Sequence, residues 1–440
     1  MFGTSGIRGT VGTDVTAELA LDVGRALASE GYERVVVGRD VRPSGAVLAD
    51  ALMAGVRECG GTVLEVGVAP TPTIARAVSW TESDAGVVIT ASHNPATDNG
   101  IKLWNPSGRA FDPEQCETIA TRLERGTFTL QPWDGHGSSE PVENALERHS
   151  RELSEAVSLD TSPSVVVDVG NGTGGITARV LADLGCDVVT LNGQQDGSFP
   201  GRPSEPTRET LGDLASFVEL SDADLGIAHD GDADRMVAVD ETGTFVPKDV
   251  LLALFARETA TVGDVVAVPV DTSMAVDDAL ESVGAAATRT PVGDVFVADR
   301  AMDSDVVFGG EPSGAWIWPQ ETPCPDGPLA ACKLLSLVAD RGPLSTLVSA
   351  IETYPIRRQS IDVTDKAAVI GRVRDRCRQR YADVDSMDGV YVAFEDGWML
   401  VRASGTEPVV RITAEARTDS RANEIEAIAV DLLEAATSRE

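Results

Sequence analysis

The sequence predicts an α/β protein, with three similar α/β domains built on mixed, mainly parallel sheets and a smaller C-terminal α+β domain. Three observations lead there. A β-branched run, a turn, a helical stretch, a glycine and a second strand recur three times, beginning at residues 35, 165 and 265, a spacing of domains and not of solenoid repeats. The end of the chain changes order, to short paired strands between two helices. The 440 residues leave room for about three or four domains of ~100 to 150 residues, each with its own core.

Taken in order, the first module runs from Val35-Val36-Val37 through a helix beginning near Ser44 to a strand at Thr62-Val63-Leu64. The second runs from Val165-Val166-Val167 through Ile176 to Leu184 and on to Val188-Val189, and the third from Val265-Val266-Ala267 through Met274 to Val283 and a strand over 285–288. The Pro, Gly and Ser of TFTLQPWDGHGSS (127–139) read as a linker, with similar punctuation near Thr242 and Pro355. In the tail, a strand at Ser360–Val363 precedes a helix from Lys366 to about Tyr381. Strands around Val390–Phe394, Trp398–Arg402 and Val409–Ala414 follow, then a last helix. The expected domains are 1–145, 146–243, 244–353 and 354–440.

Charge narrows the function. With 36 basic and 70 acidic side chains the net charge is -34, which repels phosphate backbones and anionic membranes over most of the surface. Neither nucleic acid nor a membrane is an expected partner. No run reaches the ~18 to 20 apolar residues of a membrane span, and the opening MFGTSGIRGT lacks the basic and apolar regions of a signal peptide, so a cytoplasmic protein is expected. Six dispersed cysteines form no Cys-x-x-Cys pair and read as buried or inert thiols. Four lysines against 32 arginines, in so acidic a chain, point to a salt-accumulating, halophile-like source. At molar salt the Debye length is ~3 Å and such a surface no longer repels itself strongly.

Four constellations carry chemistry. In AGVVITASHNP (85–95) a buried-looking strand delivers Ser92 and His93 into a turn, and ligand-contacting groups of open α/β sheets sit at such strand ends. An ordinary turn serine and a satisfied loop histidine are the plain alternatives. In DGDADR (230–235), Asp230, Asp232 and Asp234 repel one another unless a hard cation neutralises them, and short oxygen ligands suit Mg²⁺. An EF-hand loop would share those positions and Glu241, but Arg235 stands where that loop needs glycine and Met236–Val239 reads as a strand. In GGEPSG (309–314), Glu311 and Ser313 form a carboxylate and hydroxyl pair able to read adjacent sugar hydroxyls, or else an ordinary surface turn. In RASGTEP (402–408) with Arg411, two guanidinium forks flank a glycine-containing turn, a phosphate cradle unless Arg and Glu merely pair.

In this order the four motifs resemble the α-D-phosphohexomutase family, as do FGTSGIRG (2–9) and VGRDVRPS (37–44). The resemblance spans essentially the whole chain. It implies the fold already read, arranged around a central cleft, and an isomerase that moves a phosphoryl group between O6 and O1 of a hexose phosphate. By that resemblance Ser92 carries the phosphoryl group, and Asp230, Asp232 and Asp234 hold Mg²⁺ with a phosphoserine oxygen as a further ligand. Arg235 follows the metal ligands and belongs to the substrate site. Glu311 and Ser313 match the readers of sugar hydroxyls, while Arg402, Ser404, Gly405, Thr406 and Arg411 match the clamp on the non-reacting phosphate. A hexose 1,6-bisphosphate is the implied intermediate and activator, and small sugar phosphates are the implied ligands.

Many members continue the sugar loop as GE-x-SGH, where this chain has Ala315, so that histidine's acid/base role does not transfer. Arg8 and Lys102 match other positions near the reacting phosphate and become the candidates. Within the family, FGTSGIRG and NGIKL look most like phosphoglucosamine mutases. Phosphomannomutase/phosphoglucomutase is the alternative, with phosphopentomutase behind it; a phosphatase or a non-catalytic sensor fits the full residue set less well.

Overall fold

The computed structural model describes residues 3, 6–404 and 409–437. The chain begins β1 (Ile7–Thr10), α1 (Ala17–Ser29), β2 (Arg34–Arg39), α2 (Gly45–Glu58), β3 (Thr62–Val68), α3 (Thr71–Trp80), β4 (Ala85–Ile89), β5 (Asp98–Trp104), α4 (Pro113–Arg125), β6 (Ser139–Pro141) and α5 (Ala145–Glu155). These strands make one sheet in the order β1-β5-β4-β2-β3-β6, parallel from β4 to β6 and antiparallel where β5 joins β4 and β1. Val35, Val36 and Val37 are all buried, because the sheet is covered on both faces. Val35 and Val37 pack with Leu27, Leu52 and Val56 of α1 and α2, and Val36 with Ile74 and Val78 of α3. The two covering helices meet at glycines: a Cβ on Gly24 would lie 2.1 Å from Leu52 O, and one on Gly55 2.0 Å from Leu21 O.

The next strands and helices are β7 (Ser164–Asp168), α6 (Gly175–Asp183), β8 (Asp187–Leu191), α7 (Gly212–Leu220), β9 (Leu225–His229) and β10 (Met236–Asp240). Their sheet has the order β10-β9-β7-β8, with β7 parallel to both neighbours and β10 antiparallel to β9. After α8 (Lys248–Thr259) come β11 (Val265–Pro269), α9 (Met274–Glu281), β12 (Ala286–Thr290), α10 (Asp294–Ala301) and β13 (Val306–Glu311). There β11 is parallel to both β12 and β13. Then follow β14 (Ala315–Ile317), α11 (Gly327–Arg341) and α12 (Leu344–Ser349). The tail is β15 (Ile356–Asp362), α13 (Lys366–Arg380), β16 (Val390–Phe394), β17 (Gly397–Ala403), β18 (Val409–Ala416) and α14 (Asp419–Thr437), an antiparallel sheet in the order β15-β18-β17-β16. Both its helices share one core, in which Val373 and Cys377 meet Val401, Ile412, Ile425 and Leu433.

The chain separates into two compact units, Met1–Leu251 with Ser313–Ser349, and Leu252–Pro312 with Ala350–Glu440. Within the first, α11 packs on α5 and α6. Its N-cap Asp326, through Oδ2, accepts bonds from Arg76 Nη2 at 2.9 Å and pairs with His149 Nε2 at 3.0 Å, a buried network that ties the helix down. The stretch expected as a linker is fastened: Gln131 N donates to Glu58 O and Gly137 N to Arg57 O, and Ser139 pairs with Val63 as the start of β6. Among the described residues no helix is long and apolar enough to cross a membrane.

Candidate active site

Strand β4 ends at Ile89 and hands Thr90, Ala91 and Ser92 into a turn. Ser92 is fully buried and left-handed, with φ of 51°, a costly conformation for a residue with a Cβ. Arg42 explains how it is held. This buried guanidinium donates from Nη2 to the carbonyls of Ser92 (2.9 Å) and Asn94 (2.7 Å), and from Nη1 to those of Pro95 (2.5 Å) and Asp98 (2.9 Å). Its Nε–H goes to Asp40 Oδ2 at 3.0 Å, so all five donors are used on one turn and its counter-ion. Burial, opposed by Arg42, pushes the Asp40 carboxyl up to about 6. Asp40 Oδ2 also accepts from Thr90 Oγ1 (2.7 Å), and that oxygen accepts the Ser92 N–H at 2.9 Å.

Strand β9 delivers the second half. Asp230, Asp232 and Asp234 leave its carboxyl end with ligand oxygens within 4.8 Å of one another, all buried. His229 closes the loop: its Nδ1 is 2.8 Å from the Arg235 carbonyl and so carries the proton, leaving Nε2 to accept from Thr177 Oγ1 at 2.8 Å. Burial pushes this imidazole down to about 4, which keeps it neutral. Ser92 Oγ donates to Asp230 Oδ2 at 2.6 Å, joining the serine turn and the acidic trio directly. Asp232 Oδ2 takes Thr71 Oγ1 (2.6 Å), Thr90 Oγ1 (3.1 Å) and Lys102 Nζ (3.3 Å), while Asp234 Oδ2 takes Lys102 Nζ at 2.6 Å.

The other oxygens of the trio decide what it could hold. Asp232 Oδ1 and Asp234 Oδ1 are buried without a hydrogen-bond partner, and the nearest Arg235 nitrogen stands 3.9 Å from the latter, beyond hydrogen-bond reach. Burial and its two acidic neighbours raise the Asp230 carboxyl well above the usual range; burial and Asp232 raise Asp234. Burial would raise Asp232 too, but Lys102, Thr71 and Arg8 hold it low. Hard, crowded, partly unsatisfied carboxylate oxygens fit a divalent cation such as Mg²⁺. His93, whose Nδ1 is 3.4 Å from Ser92 Oγ, is pulled down to about 2 by Arg235, burial, Arg8 and Lys102, so it is a neutral neighbour. Lys102 reaches the trio because β5 returns antiparallel beside β4, with Lys102 opposite Val88; Arg8 sits on β1 opposite Gly100.

In the same unit Ala315 is buried and pairs by a β-bridge with Arg235, and Gly314 O accepts Met236 N at 3.0 Å, so the stretch after Ser313 is fastened to the loop of the acidic trio. The second unit holds Glu311, buried at the end of β13, whose Oε1 accepts Gly293 N at 2.7 Å. The preceding N–H, of Val292, goes to Asp388 Oδ2 at 3.0 Å, and that oxygen faces Arg402 Nε at 3.8 Å. Arg402 on β17 stands directly opposite Arg411 on β18, a pair of like charges that favours an anion beside them. Lys366 Nζ reaches Ser404 O at 2.6 Å, a third cation at this turn. Gly405 and Thr406 lie outside the described residues.

Sequence reasoning singled out Ser92 and the trio but missed Asp40, Arg42, Thr71, Lys366 and Asp388. The stretch VGRDVRPS was the available signal for the first two; nothing local marks the others.

Models of the phosphoglucomutase/phosphomannomutase family match the chain almost end to end: α/β/α domain I over 1–130, domain II over 146–243, domain III over 247–354 and the C-terminal domain over 361–432. The chain belongs to this family. A relative from Methanopyrus kandleri, described as a probable phosphoglucosamine mutase, is 46% identical over 98% of this chain and 97% of its own. One from Methanothermobacter thermautotrophicus, described likewise, is 44% identical over 97% and 96%. Among solved structures, a phosphoglucomutase/phosphomannomutase family protein from Burkholderia thailandensis superposes with a TM-score of 0.89 at 28% identity, covering 98% of this chain and 97% of the other. The phosphohexomutase architecture expected from the sequence, three α/β sheets and an antiparallel C-terminal one, is the one found.

Proposed function

We propose that this phosphohexomutase is a phosphoglucosamine mutase, interconverting glucosamine 6-phosphate and glucosamine 1-phosphate through phosphoserine at Ser92 and a hexosamine 1,6-bisphosphate. The chemistry rests on one observation, Ser92 Oγ at 2.6 Å from Asp230 Oδ2 at the edge of a buried acidic trio. The sugar rests on the descriptions of the relatives, which share up to 46% identity with nearly the whole chain. The reading gives each domain, divided after 145, 243 and 353, one motif, and it places the enzyme in the cytoplasm.

Asp230, Asp232 and Asp234 would hold Mg²⁺, which supplies neutralisation of charge on the transferring phosphoryl group. Ser92, once phosphorylated, gives its group to a sugar hydroxyl: the Ser92 Oγ–P bond breaks, the sugar O–P bond forms, and the hydroxyl proton ends on Ser92 Oγ. The second half-reaction is the reverse, from the other end of the bisphosphate. Lys102, with Arg8, stabilises the transferring group and relays the proton. Arg235 joins the substrate site, Glu311 and Ser313 read sugar hydroxyls, and Arg402, Ser404, Gly405, Thr406 and Arg411 hold the phosphate that is not reacting.

Peptide mapping should find phosphate on Ser92, and Ser92→Ala should be inactive with Mg²⁺ and a sugar bisphosphate present. Coupled assays with glucosamine, glucose, mannose and ribose phosphates set the substrate. A higher kcat/KM for mannose or glucose phosphate would replace the amino sugar with the phosphomannomutase/phosphoglucomutase alternative, which the Burkholderia fold neighbour keeps in view.

A further inference from the structure

Two buried arginines in the first unit do the same work on two loops. Arg42 holds the Ser92 turn, as described. Arg202 donates from Nε to Asp168 Oδ2 at 2.6 Å, from Nη1 to the carbonyls of Pro203 (3.1 Å) and Ser204 (3.3 Å), and from Nη2 to those of His229 (2.6 Å) and Asp168 (3.4 Å). Asp40 follows β2 and Asp168 ends β7, so each carboxylate anchor lies at the carboxyl end of the first strand of its repeat. One arginine therefore fixes the backbone that carries the nucleophile, and the other fixes the residue that enters the metal loop.

Besides the bonds that Ser92 and Thr90 make to the trio, one hydroxyl ties the backbones of the two loops together. Ser204, 2% exposed, donates through Oγ to the Ser92 carbonyl at 2.7 Å and accepts the Gly231 N–H at 3.1 Å. Its proton and a lone pair are thus spent on two loops separated from it by 112 and 27 residues. The fit is close: a Cβ on Gly231 would lie 2.7 Å from Ser204 Oγ and 2.9 Å from Ser92 O. We propose that Ser204 is a positioning residue that sets the spacing between the phosphorylated serine and the metal carboxylates. The proposal rests on the mutase reading of Ser92 and the trio, and adds to it a residue that touches neither substrate nor metal.

The test uses the full-length enzyme, with kcat and KM for glucosamine 6-phosphate in the forward direction and glucosamine 1-phosphate in the reverse, Mg²⁺ titrations and thermal unfolding. Ser204→Ala should lower kcat about tenfold or more in both directions, because small misplacements of reacting groups are costly, while KM stays within about twofold, since no substrate-binding group is touched. A lowered melting temperature with unchanged kcat would make Ser204 merely structural and overturn the proposal. Should Ser204→Ala not fold, the near-isosteric pair Ser204→Thr and Ser204→Val decides: Thr restores kcat and Val does not, or the proposal fails. Ser92→Ala is the control. If it retains activity, the phosphoserine reading itself falls; if it is dead while Ser204→Ala matches wild type, only the role of Ser204 does.

Discussion

Lys102 places its ammonium 2.6 Å from Asp234 Oδ2 and 3.3 Å from Asp232 Oδ2, while the Oδ1 atoms of the same two carboxylates have no hydrogen-bond partner. Asp232 and Asp234 are thus divided, with Oδ2 satisfied by the protein and Oδ1 able to take a cation, whereas Asp230 Oδ1 already accepts the Arg235 N–H at 3.2 Å. An amine held between two carboxylates is placed to neutralise charge on a group brought to the trio. Lys102→Arg keeps the charge and loses the compact amine. It should retain KM while kcat falls at least about tenfold, within the range of a positioned acid/base. Wild-type turnover in both Lys102→Arg and Lys102→Ala would remove Lys102 from the mechanism.

Arg42 makes a prediction about stability. Arg42→Met leaves Asp40 buried beside Thr90 without its counter-ion and four carbonyls without their donor, and breaking a buried pair costs about 3 to 5 kcal/mol. Urea unfolding should show a loss of that size, and Asp40→Asn, which removes the charge but keeps an acceptor, a smaller one. Equal and small losses would mean that the Ser92 turn holds itself.

Asp388 should matter for substrate affinity. Asp388→Asn can still accept the Val292 N–H but no longer faces Arg402 with a charge. The two side chains are mostly buried, but at 3.8 Å they are beyond hydrogen-bond length and the contact is worth only about 1 kcal/mol, so KM should rise by no more than about fivefold, equally in both directions. Arg402→Ala and Arg411→Ala remove the charged donors themselves, each costing about 1.5 to 3 kcal/mol. A loss in one direction only would contradict a clamp shared by both.

The thiols should be silent. Burial raises Cys59, Cys116, Cys186, Cys324, Cys332 and Cys377 above the ordinary thiol range, Cys116 to about 11. The thiolate is the reactive form, so reactivity is low at pH 8 and grows only as pH climbs toward those raised values. A disulfide reagent at pH 8 should find no fast-reacting thiol in the native enzyme and all six after denaturation. A rapid stoichiometric reaction of the native protein would refute this.

Salt should stabilise the protein. A net charge of -34 makes the folded chain repel itself, and screening shortens the reach of that repulsion from about 10 Å at 0.1 M to about 3 Å at 1 M. The melting temperature should rise between 0.1 and 2 M KCl. A flat or falling curve would leave the acidic composition without the halophilic explanation.

What was legible in the sequence was what is local. The Val35–Val37, Val165–Val167 and Val265–Ala267 runs announced strands because both faces of those sheets are buried, so hydrophobicity is unbroken along them. Strand β15 begins at Ile356, four residues before the sequence suggested, because Arg357, Arg358 and Gln359 lie on an edge strand where charge is tolerated. The three-residue β6, Ser-Glu-Pro and wholly exposed, carries no periodicity at all. In the site, Ser92 and the three aspartates cluster within short motifs. Arg42, Ser204 and Asp388 act on backbone groups 50, 112 and 96 residues away, where any side chain could stand and no pattern forms.

The left-handed turn at Ser92 sets stability against function at a single codon. Glycine is the residue that takes a φ of 51° without penalty, whereas alanine keeps the strain and loses the hydroxyl. Ser92→Gly should therefore be a sturdier protein than Ser92→Ala, by a fraction of the ~1 to 2 kcal/mol that a left-handed backbone costs a residue bearing a Cβ. On the phosphoserine reading the backbone of this turn favours glycine while the chemistry requires serine, so the strain at φ 51° is a cost that the proposed phosphate carrier would impose on the fold.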